Sequence, residues 1–253
     1  MEITVILPCA GEGSRLGLKI PKELFEVLPG TRLIDFSLDH IRAFADKKKI
    51  KVAVVVRPWK TETAEYVARN LPGISVKAVM FNESYSEWPG SVYSVSDLSE
   101  NNLVLLPDSC LRLSEGPSCG DVTCFDGKGK TLVELVLEAL REYGVVFGSV
   151  QNTDPHILKH LGAMKVEGGG IIAFQDKPSQ HLELYNSFWG CYAFRGIHAR
   201  ALYDFLIQSV RHQPVSLQEQ PFYPVGAVPL HSYRDLGTWE RIDLFRRELS
   251  HKG

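Results

Sequence analysis

The sequence predicts a three-layer α/β/α domain built on a mainly parallel, Rossmann-like central sheet. Two observations carry that class. Short β-branched runs alternate with stretches of helical periodicity through the first half, the order that a parallel sheet covered by helices on both faces requires. A glycine-rich turn directly follows the first of those runs, and in such sheets ligands bind outside the carboxyl ends of the strands. The 253 residues suit one domain, 1–253, and no linker, repeat or low-complexity tract divides them.

Each element has its own warrant. Residues 3–7 read as a buried strand, 52–56 as a second, 74–80 as a third and 103–106 as a fourth. Leu33, Ile34, Leu38, Ile41 and Ala45 recur at helical spacing, and Thr31 suits the cap before them. Residues 61–70 form a second helical stretch. Residues 116–130, rich in Gly, Ser, Pro and Asp, read as a loop. A helix follows over 131–143, with Leu132, Leu135, Val136 and Ala139 on one face, then a strand over 145–150. Residues 163–166 and 171–174 flank Gly168-Gly169-Gly170 as a hairpin. Residues 188–194 read as a strand, 197–210 as a helix, and 238–249 as a last helix with Trp239, Ile242 and Phe245 on one stripe.

Composition narrows the function. Lys plus Arg is 28 against 30 for Asp plus Glu, a net charge of -2, which argues against nucleic-acid binding through a bulk basic surface. No apolar run reaches the roughly 18–20 residues of a membrane helix. The first residues enter an apolar run with no basic segment, so no secretory signal is expected. Five cysteines over this length do not make a disulfide scaffold, and the expected location is the cytoplasm.

The strongest signal runs Leu7-Pro8-Cys9-Ala10-Gly11-Glu12-Gly13-Ser14-Arg15-Leu16-Gly17, then Ile20-Pro21-Lys22. A tight turn after a buried strand turns backbone N–H groups outward, and Gly11 and Gly13 permit positive φ and close approach of a phosphate chain. Arg15 can fork onto phosphate oxygens and Lys22 adds a second cation. Glycine-rich loops also simply turn the chain, but the cations in register favour phosphate. The dinucleotide fingerprint fits worse, because Gly17 comes one place late. Gly129-Lys130-Thr131 ends like a Walker loop, yet Cys124 stands where its first glycine belongs.

This opening resembles the signature of the nucleotidylyltransferases that make sugar nucleotides. Four further stretches resemble the family in order: Leu105-Leu106-Pro107-Asp108, Asp176-Lys177-Pro178, Asn186 to Tyr192 with Gly190 inside, and Asp235-Leu236-Gly237-Thr238. The similarity spans residues 3 to 240. Pro107 departs from the usual glycine and Asp176 from the usual glutamate. The size is similar to that of the short thymidylyl-, uridylyl- and cytidylyltransferases for hexose 1-phosphates, without an appended β-helical domain. The cytidylyltransferase of isoprenoid synthesis shares the opening and lacks the later motifs.

The resemblance implies a GT-A-like nucleotidyltransferase fold and attack of an acceptor phosphate on the α-phosphorus of an NTP. Mg²⁺ is the implied cofactor, held by Asp108 and Asp235; either aspartate could instead serve as a helix cap or a loop ion pair. Arg15 and Lys22 are the implied catalytic cations. Ala10, Gly11, Gly13 and Ser14 would bind the nucleotide, with Asn82, Glu83, Gly90 and Ser91 reading its base; a plain helix start at Pro89 is the alternative for that stretch. Glu83 leans towards a pyrimidine. Lys177, Asn186 and Gly190 would bind the acceptor, a sugar 1-phosphate. The implied partners are an NTP and a phosphorylated small molecule, with no nucleic acid and no membrane, and homo-oligomers are left open.

Other clusters carry less. His156 and His160 are four apart, a spacing that a helix brings to one face, but no third ligand follows. Cys110, Cys119 and Cys124 lack the spacing of structural zinc, and Cys9 reads as packing. The rival readings are a phosphonate, phosphocholine-like or polyol phosphate acceptor, a nucleotide-sensing module without catalysis, and a dinucleotide-dependent dehydrogenase.

Overall fold

Strand β1 (Ile3–Pro8) is apolar on both sides because both its faces are covered, and Ile3, Val5, Ile6 and Leu7 are all 0% exposed. The computed structural model describes residues 1–85, 88–115, 123–213 and 215–250. After β1 come β2 (Glu26–Leu28), β3 (Thr31–Arg32), α1 (Asp35–Ala43), β4 (Ile50–Val56), α2 (Thr61–Asn70) and β5 (Ser75–Met80). The middle holds α3 (Pro89–Tyr93), β6 (Asn101–Leu105), β7 (Ser109–Arg112), α4 (Leu132–Ala139) and β8 (Val145–Gln151). The remainder is α5 (Pro155–Leu158), β9 (Gly162–Glu167), β10 (Gly170–Asp176), β11 (Ser187–Arg195), α6 (Ala199–Val210), β12 (Val225–Leu230), β13 (Ser232–Asp235) and α7 (Trp239–Ser250).

Nine of the described strands form one sheet in the order β5-β4-β1-β6-β11-β8-β12-β10-β9. The block β5-β4-β1-β6 is parallel throughout. Beyond it the expectation of a mainly parallel sheet is corrected. Strand β11 runs antiparallel to both β6 and β8, and β10 runs antiparallel to β12 and β9; only β8 and β12 are parallel there. The sheet is mixed. An apolar run buried on both faces looks the same in either direction, so the sequence pattern did not carry strand polarity.

Alternate residues of a strand point to opposite faces, and two core clusters follow that alternation. Ile3, Val5, Leu7, Val52 and Val54 pack with residues of α1, α2 and α4. Ile6, Ala53, Val55 and Val104 pack with residues of α3 and α6. A third cluster joins Leu16, Phe36, Cys110, Leu236, Ile242 and Phe245, and so ties α7 to the region after β1.

Several boundaries differ from the sequence reading. Thr31 lies in β3 and does not cap α1, which starts at Asp35. Asp35 itself accepts from the Arg32 N–H at 2.8 Å. Thr131 does cap its helix, through a capping box with Glu134. Of the expected loop 116–130, residues 116–122 lie outside the described residues, Cys119 among them.

Candidate active site

A cleft of about 780 Å³ opens at the carboxyl ends of β1 and β6, lined there by Pro8, Ala10 and Gly11 on one side and Leu106, Pro107 and Asp108 on the other. Asp108 is fixed by its backbone. The Leu106 carbonyl accepts from the hydroxyls of Ser37 and Ser109, both at 2.9 Å, and the Asp108 carbonyl accepts from the Leu236 N–H at 2.8 Å.

Asp235 reaches the same place by a route that sequence spacing does not reveal. Strands β7 and β13 form a separate two-stranded ladder in which Asp235 pairs with Ser109. Between the carboxylates lies Gly237. A Cβ there would stand 3.0 Å from Asp235 Oδ1, 3.3 Å from Asp108 Oδ2 and 3.8 Å from Arg15 Nη2. The Gly237 N–H donates to Asp235 Oδ1 at 2.8 Å. Two carboxylates and an arginine therefore converge on a point kept clear by the missing side chain.

Cations offset these acids. Lys22 Nζ lies 2.5 Å from Asp108 Oδ2. Burial works against the Lys22 charge, but Asp108, then Glu23, outweigh it and raise the pKa above the ordinary lysine value. Arg241, from the first turn of α7, pairs with Asp235. Beneath the turn, Glu23 and Lys60 form a pair buried to 0% and 3% exposure. Burial pushes the Glu23 carboxyl up, and Lys60 pulls it back part of the way.

Comparison of the sequence with protein-family models and with curated proteins gives no match. Solved structures do match along the whole chain. An apo UDP-glucose pyrophosphorylase superposes with a TM-score of 0.72 at 14% identity, covering 100% of this chain and 99% of that one. A UTP-bound UGPase from Acinetobacter baumannii gives 0.67 at 15% identity, covering 100% and 94%. The inositol-1-phosphate CTP transferase from T. maritima gives 0.61 at 15% identity, covering 98% and 96%. This chain has the fold of the sugar-phosphate nucleotidylyltransferases.

Within that nucleotidylyltransferase fold, Ala10, Gly11, Arg15, Lys22, Glu83, Ser91, Asp108, Lys177 and Asp235 all line the cleft. Gly13 and Ser14 lie in the same turn but are not among the residues that line the cleft. Gly13 takes φ +70°, as the turn requires, whereas Gly11 does not adopt positive φ. Lys177 projects from a backbone at φ +46°, its side chain 59% exposed and its Nζ 4.0 Å from Asp176.

Four expected site residues are absent from the cleft lining, and their contacts are with the protein itself. Asn82 is exposed and outside the wall, with its Oδ1 accepting from the N–H and hydroxyl of Ser84 at 3.0 and 2.7 Å. At Gly90 a Cβ would fall 2.4 Å from that of Tyr85, so the glycine makes room for Tyr85. Asn186 spends its side-chain amide on both backbone groups of Val166, each at 2.9 Å, and so clamps β9. Gly190 sits at the β11 bulge, where a Cβ would meet Leu111 at 2.9 Å and Tyr233 at 3.0 Å; it lets the β7–β13 ladder lie on the main sheet. These residues hold the walls that other residues present.

Sequence reasoning missed Arg57, Lys60, Trp88 and Arg241; Trp189, with Phe188 and Tyr192, reads from the sequence either as a ring that stacks on a sugar or as core, and it lines the cleft. Arg57 lines the cleft, donates from Nε to the Ala10 carbonyl at 3.0 Å and pairs with Glu83. It follows β4, so the rule that pointed to the ends of β1 and β6 could have found it. Trp88 and Trp189 face each other with ring centroids 5.2 Å apart, and the Trp189 Nε1 has no partner among the described residues. His160 reaches the cleft wall, but α5 ends at Leu158, so His156 and His160 share no helix face. Among the described residues no three His, Cys, Asp or Glu side chains gather as a metal cage. Cys9 is fully buried, and burial raises its thiol pKa well above the ordinary value, as suits a packing residue.

Proposed function

We propose that this chain is a Mg²⁺-dependent nucleotidylyltransferase. It joins an NTP with a pyrimidine base to a sugar 1-phosphate, releasing pyrophosphate and a nucleoside diphosphate sugar. The observation that carries this reading is the convergence of Asp108, Asp235 and Arg15 on the space above Gly237, with Lys22 against Asp108. The layering is read as the Rossmann-like, three-layer form of the fold, in a single domain over 1–253, and the enzyme as cytoplasmic. No described helix is long and apolar enough to cross a membrane.

Both reactants are anions, so the task is mainly to neutralise charge and align the groups. Two carboxylates with open space between them suit Mg²⁺, which takes one or two protein carboxylates and fills its remaining positions with water and phosphate oxygens. Asp108 and Asp235 would hold it, and the bound ion would neutralise phosphate charge. Arg15 binds the departing pyrophosphate. Lys22, held by Asp108, stabilises charge on the transferred phosphate. Lys177 orients the acceptor phosphate from the opposite wall. That phosphate is already ionised at neutral pH, so no general base has to be found. Trp88 and Trp189 supply flat apolar surface at the acceptor end.

A second reading keeps the reaction and changes the acceptor to a polyol phosphate, a phosphonate or a phosphocholine-like molecule. The likeness to the inositol-1-phosphate CTP transferase from T. maritima supports the polyol form. The test is a matrix of NTPs against sugar, polyol and amino-alcohol phosphates, read by pyrophosphate release. One pair should release pyrophosphate, and a Mg²⁺ chelator should stop it. Nucleotide binding without pyrophosphate release from any pair would favour a sensing module instead.

A further inference from the structure

Lys60 occupies an unexpected place. It stands at the amino end of α2, where the helix dipole disfavours a cation, and it is 3% exposed. Its Nζ donates to the carbonyl of Cys9 at 2.6 Å, to the carbonyl of Gly11 at 2.8 Å and to Glu23 Oε1 at 2.9 Å. Those three acceptors match the three protons of an ammonium group.

The consequence lies on the other side of the turn. The cis peptide of the described chain is Tyr223–Pro224, so the bonds after Cys9 and Gly11 are trans. In a trans peptide the C=O and the following N–H point in opposite directions. With both carbonyls drawn towards Lys60, the N–H groups of Ala10 and Glu12 point away from it. Ala10 and Gly11 line the cleft and Lys60 does not, so away from Lys60 means towards the cleft. Neither N–H meets an acceptor among the described residues.

We propose that Lys60 is a positioning residue for the nucleotide's phosphates: pinned by Glu23, its buried ammonium draws two carbonyls of the glycine-rich turn inward and thereby aims the Ala10 and Glu12 N–H groups at phosphate oxygens. Glu23 also follows Lys22 directly, so the same pair fixes where Lys22 leaves the backbone. A buried ion pair is a poor device for stability alone, since apolar side chains of similar volume usually serve as well. The two carbonyl bonds give this one a different purpose.

The proposal rests on the nucleotidylyltransferase reading, and its test separates the two. Binding of UTP, of CTP and of inorganic pyrophosphate is measured by calorimetry with Mg²⁺ present, alongside the thermal midpoint, for wild type, Lys60→Met, Glu23→Gln and the double variant Glu23→Gln/Lys60→Met. The double variant removes both buried charges and so avoids the unpaired carboxylate that could unfold Lys60→Met. Expected is a rise in Kd of about tenfold or more for the nucleotide bound by wild type and for pyrophosphate in the double variant. Glu23→Gln retains the carbonyl bonds and should stay within about threefold of wild type. A folded double variant with wild-type Kd values overturns the role of Lys60 and leaves the enzyme reading standing. Equal losses in Glu23→Gln and the double variant also overturn it, because the carbonyl bonds would then not matter. A folded wild type that binds neither nucleotide nor pyrophosphate overturns both readings.

Discussion

The carboxylates of Asp108, in the turn between β6 and β7, and of Asp235, at the end of β13, approach one point, 3.3 and 3.0 Å from where a side chain on Gly237 would begin. Gly237→Ala should therefore act on the site through crowding alone, since its φ is not in the left-handed region. A methyl group there displaces at least one acid. The shift is a few tenths of an ångström, less than the roughly 1 Å that costs about 10²-fold, so turnover should fall by about tenfold, with the thermal midpoint little changed. Asp108→Asn and Asp235→Asn should lose at least as much. Wild-type pyrophosphate release in all three variants would remove the pair from the reaction.

The acceptor end gives a second expectation. Lys177→Ala removes an exposed cation whose nearest acidic partner is 4.0 Å away, so little stability depends on it. The KM for the acceptor phosphate should rise about tenfold or more, while the KM for the NTP stays within about twofold. The reverse pattern would move Lys177 to the nucleotide side.

Much of this site was legible in the sequence. The glycine-rich turn, Arg15 and Lys22 are marked by local chemistry, a turn after a buried strand with cations in register, whereas Asp108 and Asp235 stood out through the family resemblance; the structure brings Arg15, Lys22, Asp108 and Asp235 to one cleft. Helix α2 was legible over its full length because its apolar face repeats locally. What stayed hidden depends on contacts made across the fold. The β7–β13 ladder that brings Asp235 to Asp108 has four residues on each side, too few for a periodic signal. Lys60 and Glu23 are unremarkable until α2 and the turn come together. Asn186 and Gly190 follow a family pattern in the sequence, yet their contacts in the structure are with β9 and the β7–β13 ladder.

Their part in acceptor binding is testable. Asn186→Ala takes the side-chain partner from a partly buried N–H and C=O of Val166 and should cost about 1 kcal/mol in a denaturant titration. Acceptor KM should stay within about twofold. Gly190→Ala must push Leu111 and Tyr233 aside and should cost about 1–3 kcal/mol. A raised acceptor KM at unchanged stability in Asn186→Ala would restore that residue to the binding site.

His40 supplies a dependence on pH. It is 1% exposed, and its Nε2 donates to the Leu111 carbonyl of β7 at 3.2 Å while Nδ1 has no partner. Burial lowers its pKa from 6.5 to about 4, with the bond to Leu111 opposing the shift. A depressed folded-state pKa means that the proton prefers the unfolded chain. The contribution is fully present above pH 6.5, declines as pH falls, and is gone near pH 4. Its full size is about 3 kcal/mol. Burial also raises the Asp176 and Glu23 carboxyls above their ordinary values, so the wild-type curve alone is not diagnostic. The difference between wild type and His40→Gln in denaturant titrations from pH 7.5 to 4 isolates the histidine. That difference should change steadily through the window, because the glutamine variant lacks the group that takes up the proton. A constant offset between the two curves would mean that His40 is not the group whose protonation weakens the fold beneath β7.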